Sequence, residues 1–316
     1  MNNKIITNPS EIAETFNEYF ANIAPKLDEK IPPATVSPCT FLSGDYPASM
    51  IVPFTIPQDV SNVIKSMKNK KGNTHEIPVS LIKANNEEIS IPLSILFNQS
   101  VENGIFPNCL KHATVIPIYK HGTKDNLGNY RPISLLITFS KIFEKLMKKH
   151  LLSFLENKSI LCPQQFGFRK GLSTFDALQV FTNKIYETLD AQNSLLSIFV
   201  DFSKAFDTVR HDILLLKLKH YGIGGIIHDW FKDYLSNRTQ STKILNNFST
   251  PQIIKYGVPQ GSVLGPILFL IYINDLANIF TDLNTILFAD DSTFLISGKN
   301  PTTLLETANS DLKVFS

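Results

Sequence analysis

Only three cysteines occur in the 316 residues, Cys39, Cys109 and Cys162, and they lie far apart. They make no CxxC pair and no disulfide framework, which excludes a cysteine-stapled scaffold and fits a reducing compartment. The seven histidines show no zinc spacing. Long apolar runs are missing as well. The longest, over residues 263–273, is broken by Gly265 and Pro266, whereas a spanning helix needs about 20 apolar residues. The opening MNNKIITNPSEIAETF lacks the apolar core of a signal peptide, so an intracellular protein with no membrane partner is expected. GxxxxGK[ST] is missing too, which removes the P-loop class of nucleotide sites. Strong charge of either sign is lacking: net charge is +2, with 43% hydrophobic and 18% charged residues. That balance suits a folded chain of one large domain or two ordinary ones.

The charge is uneven. Residues 111–150 hold Lys111, Lys120, Lys124, Arg131, Lys141, Lys145, Lys148 and Lys149 against Asp125 and Glu144. A solvated helix face accounts for Lys145, Lys148 and Lys149. Lys120 and Arg131 fall elsewhere, on either side of a polar turn.

Periodicity predicts the elements. Residues 9–24 carry Ile12, Phe16, Phe20 and Ile23 on one helical face, with Pro9 suited to the first turn. Residues 31–57 hold six of the eighteen prolines and read as an extended connector. A short helix with Val60, Val63, Ile64 and Met67 on one side follows, stopped by Gly72, and another spans 89–103. HATVIPIYK (112–120) and NYRPISLL (129–136) read as partnered strands. Helix returns over 141–155, and Ser173 caps a helix containing Leu178, Phe181, Ile185 and Leu189. LLSIFVD (195–201) reads as a buried strand ending in a carboxylate, and 213–221 as a helix stopped by Gly222. Residues 252–261 read as a strand entering a glycine turn, 264–276 as an apolar helix and 285–297 as a hairpin. Leu304, Leu305, Ala308, Leu312 and Phe315 mark a last helix with no C-terminal cap, so the chain is expected to be a fragment.

The hairpin poses a chemical question. Its tip, ILFADDSTFLI, sets Asp290 beside Asp291 between apolar runs. Two carboxylates cannot both stay ionised in a dry site without positive compensation. Either the pair sits in a wet turn, a favoured place for aspartate, or it binds a cation. Asp201 supplies a third acid. If its strand shares a sheet with the hairpin, three carboxylates converge, and hard ions such as Mg²⁺ take ligands of this kind. Two ions roughly 3.5–4 Å apart serve phosphoryl transfer.

Three further stretches bear on that choice. In DFSKAFD (201–207), Phe206 follows Asp201 by five positions, where a ring can stack on a sugar and exclude the 2′-hydroxyl that marks ribonucleotides. Among 23 phenylalanines it is equally a core residue. In GVPQGS (257–262), Gly261 permits close backbone approach and Gln260 can hydrogen-bond a nucleotide; the alternative is a plain turn. Lys120 and Arg131 offer a point charge and a planar fork, which suit a triphosphate, or are simply exposed charges.

DFSKAFD, GVPQGSVLGPILFLIYINDL, FADD, NYRPISLL and QFGFRKG, in their spacing and order, resemble the reverse transcriptase of non-long-terminal-repeat retrotransposons, the jockey-like group above all. The resemblance runs from about residue 71 to residue 316. It implies an α+β fold: right-hand polymerase fingers and palm, an antiparallel palm sheet with packed helices, and no thumb. Residues 1–70 would form a helical extension with a proline-rich connector, 71–194 the fingers and palm entry, and 195–316 a palm truncated at its C-terminal end. Asp201, Asp290 and Asp291 would be the catalytic carboxylates holding two Mg²⁺ ions. Phe206 would be the steric gate. Gln260 and Gly261 would sit at the nucleotide pocket, with Lys120 and Arg131 on the triphosphate. Gln165, Gly167 and Arg169 would lie along the template path. The partners implied are an RNA template, a DNA primer and dNTPs, in the nucleus or a cytoplasmic ribonucleoprotein.

Some residues depart from the family pattern. Phe288 replaces a tyrosine before Ala-Asp-Asp, losing a hydroxyl and keeping the ring. KGNTHEIP (71–78) differs from Lys-Gly-Pro-Asp-Gly-Ile-Pro, and His75 and Glu76 gain no role. The palm segment that carries a proton-transfer lysine in the family would begin near Phe315. The expected function is RNA-directed DNA synthesis by two-metal nucleotidyl transfer. The alternatives are a catalytically inactive nucleic-acid-binding remnant and a two-metal nuclease, in which Phe206, Gln260, Lys120 and Arg131 have no task.

Overall fold

Asn8 accepts a hydrogen bond from the Ser10 N–H and Pro9 occupies the first turn, so helix α1 (Pro9–Asp28) begins as its sequence predicts. The computed structural model describes residues 6–32, 35–47, 49–69, 77–280 and 283–315. Gly72, His75 and Glu76, with the rest of 71–76, lie outside the described residues, as does the Phe315 side chain. Among the described residues, neither helix nor strand separates α1 from α2 (Pro57–Ser66), in keeping with a connector. Helices α3 (Val79–Ala84) and α4 (Asn86–Glu102) follow, then strands β1 (His112–Tyr119) and β2 (Tyr130–Leu136) and helix α5 (Thr138–Asn157). Helix α6 (Thr174–Asp190) starts where the Asp176 carboxylate accepts the Ser173 N–H.

The remainder runs β3 (Ser194–Asp201), α7 (His211–His220), α8 (Gly225–Leu235), β4 (Arg238–Ile244), β5 (Asn247–Phe248), β6 (Gln252–Ile254), α9 (Gly265–Tyr272), β7 (Asn284–Phe288), β8 (Asp291–Gly298) and α10 (Pro301–Phe315). Two sheets result. The first has order β2-β1-β4-β5, with β6 also on β4; the second has order β3-β8-β7 and is antiparallel throughout. The fold is therefore mixed α/β. Among the described residues no helix is long and apolar enough to cross a membrane.

One large core joins α2, α4, α5, α7, α8 and α9 around Phe97, Phe106, Phe143, Trp230 and Phe269. Trp230 stacks on Tyr234 at 5.7 Å, meets Phe106 edge-on at 5.3 Å and donates to the Ser100 hydroxyl. Helix α1 is tied to the first sheet by buried Asn17, which donates to the Gln240 and Thr250 carbonyls. The second sheet is clad on one face by Leu276, Phe280 and Leu304, and on the other by Ala177 and Phe181 of α6. That second covering is incomplete. β3 is half-buried rather than buried as expected, and Phe199 is 71% exposed. In α10, Leu304 and Ala308 face inward while Leu305 is exposed.

Glu144 of α5 is fully buried and accepts from the N–H groups of Val263 and Leu264 and from the Tyr234 hydroxyl. Burial pushes its carboxyl up, against the pull of Arg238 and those two N–H groups. The contact fixes the entry to α9, and with it the Gly257–Ser262 turn. Glu144→Ala leaves the Val263 and Leu264 N–H groups and the Tyr234 hydroxyl without this acceptor and is expected to lower stability by about 1–3 kcal/mol. A urea midpoint shift at unchanged slope checks this, with Glu144→Gln, which keeps one acceptor, losing less.

Candidate active site

Side chains alternate across a strand. Leu196, Ile198 and Val200 of β3 join the apolar cluster with Phe294, Ile296 and Leu304, so Leu195, Phe199 and Asp201 point to the opposite face. β3 pairs with β8 so that Asp201 lies directly opposite Asp291. β7 and β8 close with Phe288 opposite Asp291, leaving a two-residue turn, Ala289–Asp290. Ala289 has φ +57°. Two-residue hairpins demand a positive φ at a central position, and holding a side-chain-bearing residue there costs on the order of 1–3 kcal/mol.

The three acids are thus neighbours. Burial first, then the Asp290 and Asp201 carboxylates, push the Asp291 carboxyl up. Among the described residues, no lysine, arginine or histidine forms an ion pair with any of the three. The side chains do not close into a cage: among the described residues no group of three His, Cys, Asp or Glu is arranged to hold an ion as it stands. The donor set nonetheless fits a hard divalent cation, which keeps several waters and takes only one or two carboxylates when a phosphate shares it.

Asp201 and Asp290 open onto a cavity of about 330 Å³ whose lining also includes Lys120, Arg131, Lys204, Phe206, Asp207 and Gln260. That is within the range of small-molecule sites. Asp291 lines an adjoining apolar cavity of about 310 Å³ beside Ala177, Phe181 and Phe199. Lys120 follows β1 and Arg131 lies in β2, opposite Ile118. Lys204, to which the sequence reading gives no role, donates to the Tyr130 carbonyl at 3.2 Å. Burial lowers its pKa, Asp207 opposes this, and Lys120 and Arg131 lower it further. Three cations, close enough for Lys120 and Arg131 to act on Lys204, therefore share one cavity lining with Asp201, Asp207 and Asp290. The signal for Lys204 was its place between Asp201 and Phe206.

Phe206 stacks on Phe269 at 4.3 Å and meets Phe168 edge-on at 6.1 Å. It packs against the core and borders the cavity. Gln260 donates to Asp207 Oδ1 at 2.9 Å, and its carbonyl accepts the Ser134 N–H. Gly261 has φ +114°, and a Cβ there would lie 2.5 Å from the Ser134 carbonyl oxygen. The glycine lets the turn press against β2.

Gln165, Gly167 and Arg169 take unexpected places. Gln165 is 2% exposed, and its Oε1 accepts the N–H groups of Gly167 at 2.8 Å and Ala289 at 2.9 Å. A Cβ on Gly167 would lie 2.2 Å from the Ala289 nitrogen. Arg169 donates to the Cys162 and Gln165 carbonyls. All three are bonded or pressed to protein, and the loop's exposed side chains are Phe168, 49% accessible, and Lys170.

Asp207 is half-buried as a residue, but its carboxylate is the enclosed end. Among the described residues Oδ2 has no hydrogen-bond partner. Burial raises its pKa to about 6, against the Gln260 bond and Lys204. The folded pKa exceeds the unfolded one, so Asp207's contribution to stability is full below 3.8 and is lost as pH rises through about 6. The loss amounts to about 3 kcal/mol at most. Asp207→Asn is expected to remove this pH dependence and to stabilise the protein above about pH 6, as read by urea midpoints of both proteins on either side of that pH.

Residues 118–315 match the profile of the family described as reverse transcriptase (RNA-dependent DNA polymerase). The chain is 33% identical over 227 residues to the probable RNA-directed DNA polymerase from transposon BS of Drosophila melanogaster, covering 69% of this chain and 24% of that protein. It is 33% identical over 234 residues to that of the X-element of the same fly, covering 72% and 25%. To the RNA-directed DNA polymerase from the D. melanogaster mobile element jockey it is 30% identical over 268 residues, covering 82% and 29%. The chain spans about a quarter of the length of these curated relatives. With the matched profile covering more than half of its residues, the chain belongs to the reverse transcriptase family, in the jockey-like group of non-long-terminal-repeat retrotransposons.

Proposed function

We propose that this chain carries the nucleotidyl-transfer site of an RNA-directed DNA polymerase. The observation that supports this most is the single cavity bordered by Asp201 and Asp290, by Lys120, Arg131 and Lys204, and by Phe206 and Gln260. A deoxynucleoside triphosphate needs all three sets: carboxylates near its reacting phosphorus, cations along its phosphates, and a ring against its sugar. Residues 71–194 are read as the fingers and palm entry and 195–316 as the palm. The divisions at residues 70 and 194 are read as functional rather than as separate folding units, since β4–β6 join the sheet of β1 and β2 and α2, α5, α7 and α9 share one core.

In the reaction the primer 3′-hydroxyl attacks the α-phosphorus; the O–P bond to the primer forms as the bond to pyrophosphate breaks. Lys120, Arg131 and Lys204 bind and orient the triphosphate. Asp201 and Asp290, with Asp291 beside them, would hold two Mg²⁺ ions, whose contribution when bound is to offset charge on the attacking and leaving oxygens. Phe206, backed by Phe269 and Phe168, excludes a 2′-hydroxyl. Asp207 orients the Gln260 amide toward the incoming nucleotide. The loop of Gln165, Gly167 and Arg169 borders the template path through Phe168.

With Mg²⁺ and primed RNA, this chain lengthened to the span of its relatives is expected to incorporate dNTPs, and Asp290→Ala to reduce incorporation to background. Primer extension reads both. Salt-sensitive binding of the primed RNA without incorporation would identify the non-catalytic reading, and degradation of the RNA without dNTPs the nuclease. Phe206→Ala is expected to weaken discrimination against ribonucleotides by roughly 10²-fold, measured as the ratio of kcat/KM for the two sugars. An unchanged ratio would remove Phe206 from the gate.

A further inference from the structure

We infer that Gln165 and Gly167 form a clamp that sets the position of the Ala289–Asp290 turn, making QFGF a positioning partner of FADD from about 120 residues away in the chain. The metal-site reading above gives the clamp its purpose; the contacts themselves stand without it.

The argument starts at Ala289. Strand pairing ends at Phe288 opposite Asp291, so the ladder supplies no partner for the Ala289 N–H. Ala289 is 6% exposed, so water is no substitute. Gln165 Oε1 fills the need at 2.9 Å and takes the Gly167 N–H with its second lone pair, which fixes the direction of the amide. Gln165 Nε2 faces the Ala289 carbonyl at 3.5 Å, the limit of a hydrogen bond. The backbone continues the clamp. Phe166 N–H donates to the Leu287 carbonyl and Leu287 N–H to the Gln164 carbonyl, a parallel bridge along the edge of β7.

Gly167 sets the distance. Any side chain at 167 would enter the Ala289 backbone, and the turn would have to move away. Arg169 pins the loop from behind through the Cys162 and Gln165 carbonyls. Asp201 sits on the neighbouring strand and does not depend on this loop. Asp291 is held opposite Asp201 by the β3–β8 ladder; the clamp therefore controls where Asp290 stands relative to that pair, and it holds Ala289 at its positive φ.

The test uses three substitutions, amide hydrogen exchange without metal, and Mn²⁺ binding followed by electron paramagnetic resonance. Gln165→Leu keeps the bulk and loses the acceptor. It is expected to speed exchange at residues 289–291 at least about tenfold, with β1 and β2 unchanged, and to weaken Mn²⁺ binding by about 10–100-fold, the usual effect of losing a group that orients a metal ligand. Gln165→Glu keeps the acceptor and is expected to retain protection at Ala289. Ala289→Gly in the Gln165→Leu background removes the need to force a positive φ and is expected to recover part of the Mn²⁺ affinity. A folded Gln165→Leu with wild-type exchange at the turn overturns the clamp, as does equal loss in the Leu and Glu variants. Should Gln165→Leu not fold, the wild-type protein decides: an Ala289 amide exchanging as fast as an exposed turn amide overturns it. Absence of Mn²⁺ binding in the wild type would count against the metal site and leave the clamp to be judged by exchange.

Discussion

The register of β3 against β8 sets Asp201 opposite Asp291 and, with Asp290 in the adjoining turn, forces three carboxylates into one small region. Everything around them answers that repulsion. Raised protonation of Asp291 is one partial relief. A bound divalent cation would be another. Among the described residues no lysine or arginine forms an ion pair with the acids; Lys120, Arg131 and Lys204 instead share a cavity lining with Asp201 and Asp290. On the function proposed above, the acids are left for a metal and the cations for phosphate, so that a chain of net charge +2 would meet a polyanion through a local, two-signed field.

Much of this was legible in the sequence, for identifiable reasons. The β1–β2 hairpin, the aspartate hairpin and α1 announce themselves because each has a short period of apolar residues and a turn or cap that matches it. α8 was equally legible and went unread: Ile227, Trp230, Phe231, Tyr234 and Leu235, all buried, recur at helical spacing. β4 was not legible. RTQSTKI is a polar string, and it is buried because β1 lies parallel to it and Asn17 of α1 satisfies Gln240 and Thr242. No local pattern encodes partners that far away. LLSIFVD misled in the other direction. Its run of apolar residues suggests burial on both faces, yet α6 covers one face only in part, leaving Phe199 out.

Within the site, residue identities were readable and geometry was not. Asp201, Asp290, Phe206, Gln260, Lys120 and Arg131 come to one cavity from five separate stretches of sequence. Lys204 carries no signal beyond its place between Asp201 and Phe206, and only the fold brings it into one cavity lining with Lys120 and Arg131. The basic excess of α5 shows the opposite error in waiting. Lys149 pairs with Asp59 and Lys145 donates to Ser66, both on α2, so part of that excess is engaged at the surface with another helix. A count of positive residues would have given them to nucleic acid.

Three buried acceptors share one logic. Glu144 takes the Val263 and Leu264 N–H groups, Gln165 takes those of Ala289 and Gly167, and Asp207 takes the Gln260 amide. Each fixes a turn that carries a site residue, and each comes from an element distant in sequence from the turn it holds. Turns of this kind cannot be fixed by apolar packing, which is indifferent to a rotation of the backbone by tens of degrees. A hydrogen bond from a buried N–H is directional, and leaving it unmade costs more than making it returns. Such contacts therefore specify position more than they add stability. A site that must place carboxylates, an amide and a ring around one phosphate is where that kind of specification is needed. Glu144 and Gln165, outside the cavity lining, and Asp207, within it, are thus all part of its construction.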